Sequence, residues 1–132
     1  MPRSPTAGLT AVQFEIMQVV WDAPEGATVA EIWEAISRGR NVARTTVLNL
    51  VRRLDQRGWL KRQKREGSYR YLATTGRDAT TTKAAVKFVD EFFGGSATEL
   101  VMSLLGSKRI SKSEMDELRQ LLQRADTKLP KP

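Results

Sequence analysis

The amino-acid sequence predicts a mainly α-helical chain: a winged helix-turn-helix of three helices and a two-stranded wing over residues 9–76, followed by a three-helix dimerisation region over 77–126. Three observations carry this expectation. Apolar residues recur at helical spacing except between Trp59 and Ala73, where short segments alternate bulky and polar side chains. Thr or Ser stands three residues before Gln or Glu at Thr10/Gln13, Thr28/Glu31, Ser96/Glu99 and Ser111/Glu114, the capping-box spacing in which two side chains satisfy free N–H groups at a helix start. Positive charge is confined: residues 38–70 hold eleven basic and two acidic residues, net +9, while the rest hold eleven and thirteen, net −2.

Residues 1–8, with Pro2, Pro5 and Gly8, read as a flexible lead. Thr10 opens a first helix in which Val12, Ile16, Val19 and Val20, with Phe14, Met17 and Trp21 beside them, form a wide apolar face. The stretch from Asp22 through Pro24 to Gly26 stops it, since proline cannot continue the ladder and glycine permits a turn. Thr28 opens a short helix through Ile36, with Val29, Ile32, Trp33 and Ile36 toward the core. After a break at 37–41, a third helix spans 43–57, burying Val47, Leu50, Val51 and Leu54 and turning Arg44, Thr45, Thr46, Asn49, Arg52, Arg53 and Gln56 outward, with Gly58 past its end. Residues 60–63 and 69–73 form a hairpin through Arg65, Glu66, Gly67 and Ser68. A long helix over 78–93 stops at Gly94 and Gly95, a short one ends at Gly106, and Ser111 opens the last, with Ile110 and Met115 placed as a hydrophobic staple. Residues 127–132 read as a disordered tail.

Composition excludes much chemistry. With no cysteine and no histidine among 132 residues, thiolate and imidazole metal sites, disulfides and the common nucleophile–base pairs are absent. Glu15, Glu31, Glu34 and Asp55 could pair as catalytic carboxylates on paper, but caps and surface ion pairs explain them better. No enzyme activity, catalytic residue, cofactor or metal is expected. No apolar run is long enough for a membrane span, and the N-terminus lacks the apolar stretch of a signal peptide, so a soluble, cytoplasmic protein without membrane insertion is expected.

A net charge of +7 and an isoelectric point near 10.1 suggest a polyanionic partner, and the +9 segment folds, since it contains Val47, Leu50, Val51, Leu54, Trp59 and Leu60. A recognition helix presents its N-terminal half to base edges in the major groove. Arginine can bond guanine, asparagine adenine, and threonine a base or the thymine methyl, so Arg44, Thr45, Thr46 and Asn49 are the candidate base readers of double-stranded DNA. For Thr45 and Thr46 the competing reading is simply the opening of the helix. Arg52, Arg53, Lys61, Arg62, Lys64, Arg65 and Arg70 are candidate phosphate contacts, although either Arg52 or Arg53 could lie over the core instead. Tyr69 and Tyr71 read as strand packing rather than base-stacking platforms, and Trp21, Trp33 and Trp59 as core. The alternative function is a winged-helix adaptor that binds protein or RNA without operator specificity.

The C-terminal helices are too small a body to bury their own apolar surface. The expected solution is an intertwined homodimer made by Phe88, Val89, Phe92, Phe93, Leu100, Val101, Leu104, Leu105, Leu118, Leu121 and Leu122, the competing one an intramolecular extension of the core.

Leu9-Thr10 leading to Val19-Val20-Trp21, Thr45-Thr46-Val47 with Arg53-Leu54, Leu60-Lys61-Arg62, Tyr69-Arg70-Tyr71, Phe92-Phe93-Gly94-Gly95 before Leu100-Val101, and the closing Ser113-Glu114-Met115-Asp116-Glu117-Leu118 together resemble the penicillinase-repressor (BlaI/MecI) family, over roughly residues 9–122. The resemblance implies a homodimeric winged-helix repressor of a palindromic operator, commonly silencing a β-lactamase or penicillin-binding-protein operon. It also implies induction through a membrane sensor and a protease pathway that leads to cleavage in the dimerisation region. Staphylococcal-type members are cut at an Asn-Phe bond; the aligned pair here is Ser103-Leu104, a departure from that specificity. The cysteine motif of copper-responsive relatives is missing.

Overall fold

Thr10 and Thr28 cap the first two helices as their spacing predicts. In the computed structural model, which describes residues 8–126, α1 spans Ala11–Trp21 and α2 spans Val29–Ser37. Thr10 Oγ1 accepts from Gln13 N–H at 3.2 Å while Gln13 Oε1 accepts from Thr10 N–H at 3.0 Å. The same reciprocal pair forms between Thr28 and Glu31. Gln13 is buried, and its part in the cap supplies the partner that a buried amide requires. The expected lead and tail lie outside the described residues, apart from Gly8.

α3 spans Arg44–Gln56 and ends in a Schellman turn: Gly58 N–H donates to Asp55 O and Trp59 N–H to Leu54 O, with Gly58 at φ +88°. The chain then enters β1 (Leu60–Arg65) and β2 (Ser68–Ala73), paired antiparallel from Leu60↔Ala73 to Arg65↔Ser68. The strands run closer to the tip than the sequence predicts. Glu66 and Gly67 alone make the turn, both at positive φ (50° and 82°), which matches the twist of the flanking strands.

Side chains from all five elements meet in one core: Ile16, Met17 and Val20 of α1, Ile32 and Ile36 of α2, Val47, Val51 and Leu54 of α3, then Trp59, Leu60 and Tyr71. Val19, Val29 and Leu50 pack around its edge. Two of the tryptophans expected in the core sit at its rim instead, because each indole N–H reaches a backbone acceptor there: Trp21 Nε1 donates to Thr75 O at 2.8 Å and Trp33 Nε1 to Val42 O at 2.9 Å.

The sheet has a further edge that the sequence does not signal. Ala27, between α1 and α2, bridges Tyr71, with Ala27 N–H donating to Tyr71 O at 3.0 Å and Tyr71 N–H to Ala27 O at 2.9 Å. Gly26 makes this approach possible. Its φ is +92°, and a Cβ there would lie 3.2 Å from both Arg70 Cβ and Tyr71 O.

α4 (Arg77–Phe92), α5 (Ala97–Gly106) and α6 (Lys112–Asp126) complete the chain. The molecule divides into two compact units between Ala84 and Ala85, within α4. In the first unit, the opening turns of α4 are tied down: Arg77 Nη2 lies 2.7 Å from Asp22 Oδ1, and the buried Thr80 donates through its hydroxyl to Gly76 O. In the second unit, Ser96 and Ser111 accept from Glu99 N–H and Glu114 N–H, the hydroxyl half of the expected capping boxes. No described helix is long and apolar enough to cross a membrane.

Two predictions follow from this geometry. Gly26→Ala places a Cβ in a left-handed conformation against backbone, so denaturant unfolding should show a loss of about 2 kcal/mol, and unchanged stability would refute the close approach. The Glu31 carboxyl is held below its ordinary value of 4.5 by the Thr28 backbone N–H, then the Thr28 hydroxyl, with Arg70 adding a favourable charge. A depressed acid stabilises the fold above its unfolded pKa, and that contribution is lost as pH falls through the folded value. A carboxyl-detected NMR titration should therefore place the Glu31 midpoint below 4.5, and Thr28→Ala should raise it.

Candidate nucleic-acid interface

The loop from α2 into α3 is anchored before that helix begins. Arg40 Nη2 lies 2.7 Å from Glu15 Oε2 of α1, and Val42 O receives the Trp33 indole. The N-cap of α3 is Ala43, which makes no side-chain cap, so nothing from its own N-cap side chain covers the first N–H groups.

Arg44, Thr45, Thr46 and Asn49 are all exposed. They do not all share one direction. Asn49 is two residues from both Val47 and Val51, so on a helix turning about 100° per residue it points nearly opposite to each buried side chain. Thr45 lies one turn before Asn49, and Gln56 two turns beyond it, on the same outward stripe. Arg52 and Arg53 flank that stripe, both exposed rather than laid over the core. Arg44 instead stands about 20° around the axis from the buried Val51 and owes its exposure to its place in the first turn. Thr46 lies between these two directions.

On the wing, Lys61, Arg62, Lys64 and Arg65 are exposed, while Leu60 and Tyr71 anchor the base of the hairpin in the core. The two tyrosines therefore part company: Tyr71 is 4% exposed and Tyr69 46%. The Arg62 guanidinium lies over the Tyr69 ring, 4.4 Å from its centroid.

Arg70 is placed differently from the other cations expected on the wing. Its Nη1 donates to Gly26 O at 3.0 Å and lies 3.4 Å from Glu31 Oε1, so it braces the hairpin against the start of α2 instead of projecting from it. The partners are 44 and 39 residues away, and the alternating wing pattern carries no sign of them. By contrast, Arg44, Arg52, Arg53, Lys61, Arg62, Lys64 and Arg65 have no ion-pair partner among the described residues. Seven cations on α3 and the wing thus remain available to an external polyanion.

In the second unit every residue expected at a dimer contact is partly or fully exposed. Phe88, Phe92, Val101, Leu105, Leu118, Leu121 and Leu122 are exposed, and Val89, Phe93, Leu100 and Leu104 half-buried. Val86 and Met102, at 55% and 64%, extend this surface beyond the residues read from the sequence. The Phe88 ring contacts Phe92 and Phe93, with centroids 4.9 and 5.8 Å away. Ser103 and Leu104 lie inside α5, in helical backbone.

Several relatives align with most of this chain. The chain is 25% identical to a penicillinase repressor of Staphylococcus aureus over 114 residues, covering 86% of this chain and 90% of that protein. It is 24% identical over 117 residues to the methicillin resistance regulatory protein MecI of Mammaliicoccus sciuri, covering 89% and 94%. Over 109 residues it is 28% identical to the transcriptional regulator BlaI of Mycobacterium tuberculosis, covering 81% and 77%. Among solved structures, apo MarR from E. coli matches with a TM-score of 0.53 at 22% identity, covering 92% of this chain and 79% of that one, a likeness of fold. The family model for the penicillinase repressor matches residues 9–124, and the chain belongs to that family.

Proposed function

We propose that this protein is a transcriptional repressor that binds double-stranded operator DNA as a homodimer and has no catalytic activity of its own. The observation that carries the reading is the set of seven unpaired cations on α3 and the wing, arranged around an outward stripe of Thr45 and Asn49. Relatives named penicillinase repressor and methicillin resistance regulatory protein support repression as the outcome and an antibiotic-resistance operon as the target.

In this reading α3 enters the major groove. Asn49, Thr45 and Thr46 read base edges, Arg44 reaches from the first turn, and Arg52 and Arg53 engage phosphates beside the groove. Lys61, Arg62, Lys64 and Arg65 follow the backbone from the wing. Arg70 acts indirectly, by holding the wing in place. A second copy, joined through the exposed apolar residues of the second unit, presents a second α3 to the other half of a palindromic site.

Release of the operator follows loss of that dimer. Cleavage near Ser103-Leu104, at the end of a membrane-sensor and protease pathway, would divide α5 and remove its apolar face from the interface. Because the bond lies within a helix, a protease must wait for α5 to unwind locally, which makes cleavage depend on the stability of the second unit.

Gel shifts against genomic duplex fragments test the reading. A preferred duplex site, with affinity falling steeply as salt rises, is expected; uniform binding to all duplexes or to RNA alone would favour an adaptor. Asn49→Ala should cost about 1–3 kcal/mol at the preferred site and little on random duplex, whereas Arg65→Ala should weaken both alike. Equal losses for Asn49→Ala would remove it from base reading. In sedimentation at micromolar concentration the protein should be a dimer, and Phe92→Asp with Leu122→Asp should be monomeric with operator affinity reduced at least tenfold, of the order expected when one half-site contact is lost.

A further inference from the structure

Alternation along the two strands divides the wing into unlike faces. Leu60, Arg62 and Lys64 share one face with Tyr69, Tyr71 and Ala73, while Lys61, Gln63 and Arg65 share the other with Ser68, Arg70 and Leu72. Both faces carry exposed cations, so charge alone does not distinguish them. The tyrosine does.

Tyr69 sits directly opposite Lys64 and diagonally from Arg62. Its ring holds the Arg62 guanidinium at 4.4 Å and lies 5.9 Å from Lys64 Nζ. Tyr69 is 46% exposed at the hairpin tip and is not among the described residues that form or pack against the core, whereas Tyr71 secures the base of the strand. The turn adds rigidity, since Glu66 and Gly67 leave no spare residue between the strands. At the base of this same face Leu60 and Tyr71 join a core that includes Val47, Val51 and Leu54, so α3 lies on the Tyr69 side of the sheet. A duplex seated against α3 meets that side of the wing.

We propose that Tyr69 is a positioning residue for DNA binding: its ring holds Arg62 and Lys64 as a preformed pair of cations, and this face of the wing, rather than the Lys61/Arg65 face, clamps the sugar-phosphate backbone. The proposal rests on the DNA-binding reading above and adds to it which wing cations act and what orients them. Long cationic side chains lose rotamer freedom on meeting a phosphate. A ring that already restricts them removes part of that loss, and the ring's attraction does not consume the charge as a carboxylate would.

The test measures binding of the full-length chain to a labelled random-sequence duplex of about three helical turns, as a function of salt. Arg62→Ala with Lys64→Ala should lower the slope of log affinity against log salt by about two for each bound protomer, and Lys61→Ala with Arg65→Ala by clearly less. Tyr69→Leu keeps every charge and a similar bulk, so it should retain the slope yet bind roughly two- to fivefold more weakly, the worth of an exposed cation–π contact. Tyr69→Phe keeps the ring and should restore wild-type affinity, which a merely packed tyrosine would not distinguish from leucine. Circular dichroism and tryptophan emission confirm that each variant is folded. Wild-type affinity in Tyr69→Leu, or equal slopes from the two double variants, would overturn the assignment while leaving DNA binding intact. A wild-type chain that binds no duplex would overturn the DNA-binding reading itself, and this assignment with it.

Discussion

The two backbone hydrogen bonds between Ala27 and Tyr71 are the contact on which the working geometry of the first unit depends. A two-stranded hairpin is marginal by itself in water. Here its inner strand is paired on both sides, with β1 on one edge and Ala27 on the other, and the Arg70 guanidinium adds a third link to Gly26 O. Through Tyr71 and Leu60 the hairpin is also part of the core that holds α3. The wing and the outward face of α3 are therefore parts of one rigid body, and a ligand that touches both meets them at a fixed separation. Gly26 is the concession that permits this, because only a residue without Cβ fits between the α1–α2 connection and β2 at that backbone angle.

Helices were largely legible because their signals are local. The Thr10/Gln13 and Thr28/Glu31 boxes act over three residues, and the buried trio Val47, Val51 and Leu54 follows the helical period. The outward stripe of α3 was legible for the same reason, Asn49 most clearly. Arg44 was less so: it is polar and exposed, yet its angular position is that of the buried stripe, and only the helix start frees it. What escaped the sequence is non-local. The Ala27 bridge joins a single residue to a strand 44 positions away, too short to show alternation, and Arg70 looks like any wing cation until Gly26 and Glu31 are brought beneath it. Tyr69 and Tyr71 share one face of the strand, so alternation could not separate them; their different fates come from distance along the hairpin, with the core ending between them.

The distribution of charge has a cost that the fold manages by placement. Like charges on α3 and the wing repel one another, and the acidic residues that could relieve this lie mostly elsewhere in the sequence. Glu15 and Glu31 from the first two helices return to the basic segment, but they engage Arg40 and Arg70, the two cations that brace the loop before α3 and the base of the wing. Carboxylates are thus spent on cations that support the scaffold and withheld from those that project. Residual repulsion among the projecting cations destabilises the free protein and is relieved by a polyanion, so the same arrangement strengthens binding and makes it sensitive to salt.

The second unit presents the opposite problem, too much apolar surface and too little to cover it. α5 and α6 have no buried residue, and the aromatic cluster on α4 leaves Phe92 68% exposed. Each large side chain left in water forgoes roughly 1.5–3 kcal/mol of burial. Helical spacing keeps Met115, Leu118, Leu121 and Leu122 of α6 toward one side, with Asp116 and Gln120 away from them, as in a helix that expects a partner. A two-fold copy satisfies this economically, because each residue that lacks a neighbour also supplies one. Under that arrangement the stability of the second unit and the affinity of the first become a single quantity: whatever weakens the apolar contact also lowers the concentration of paired recognition helices. The natural point of control in such a protein is then the cover over α5 and α6, far in sequence from the proposed base-reading residues.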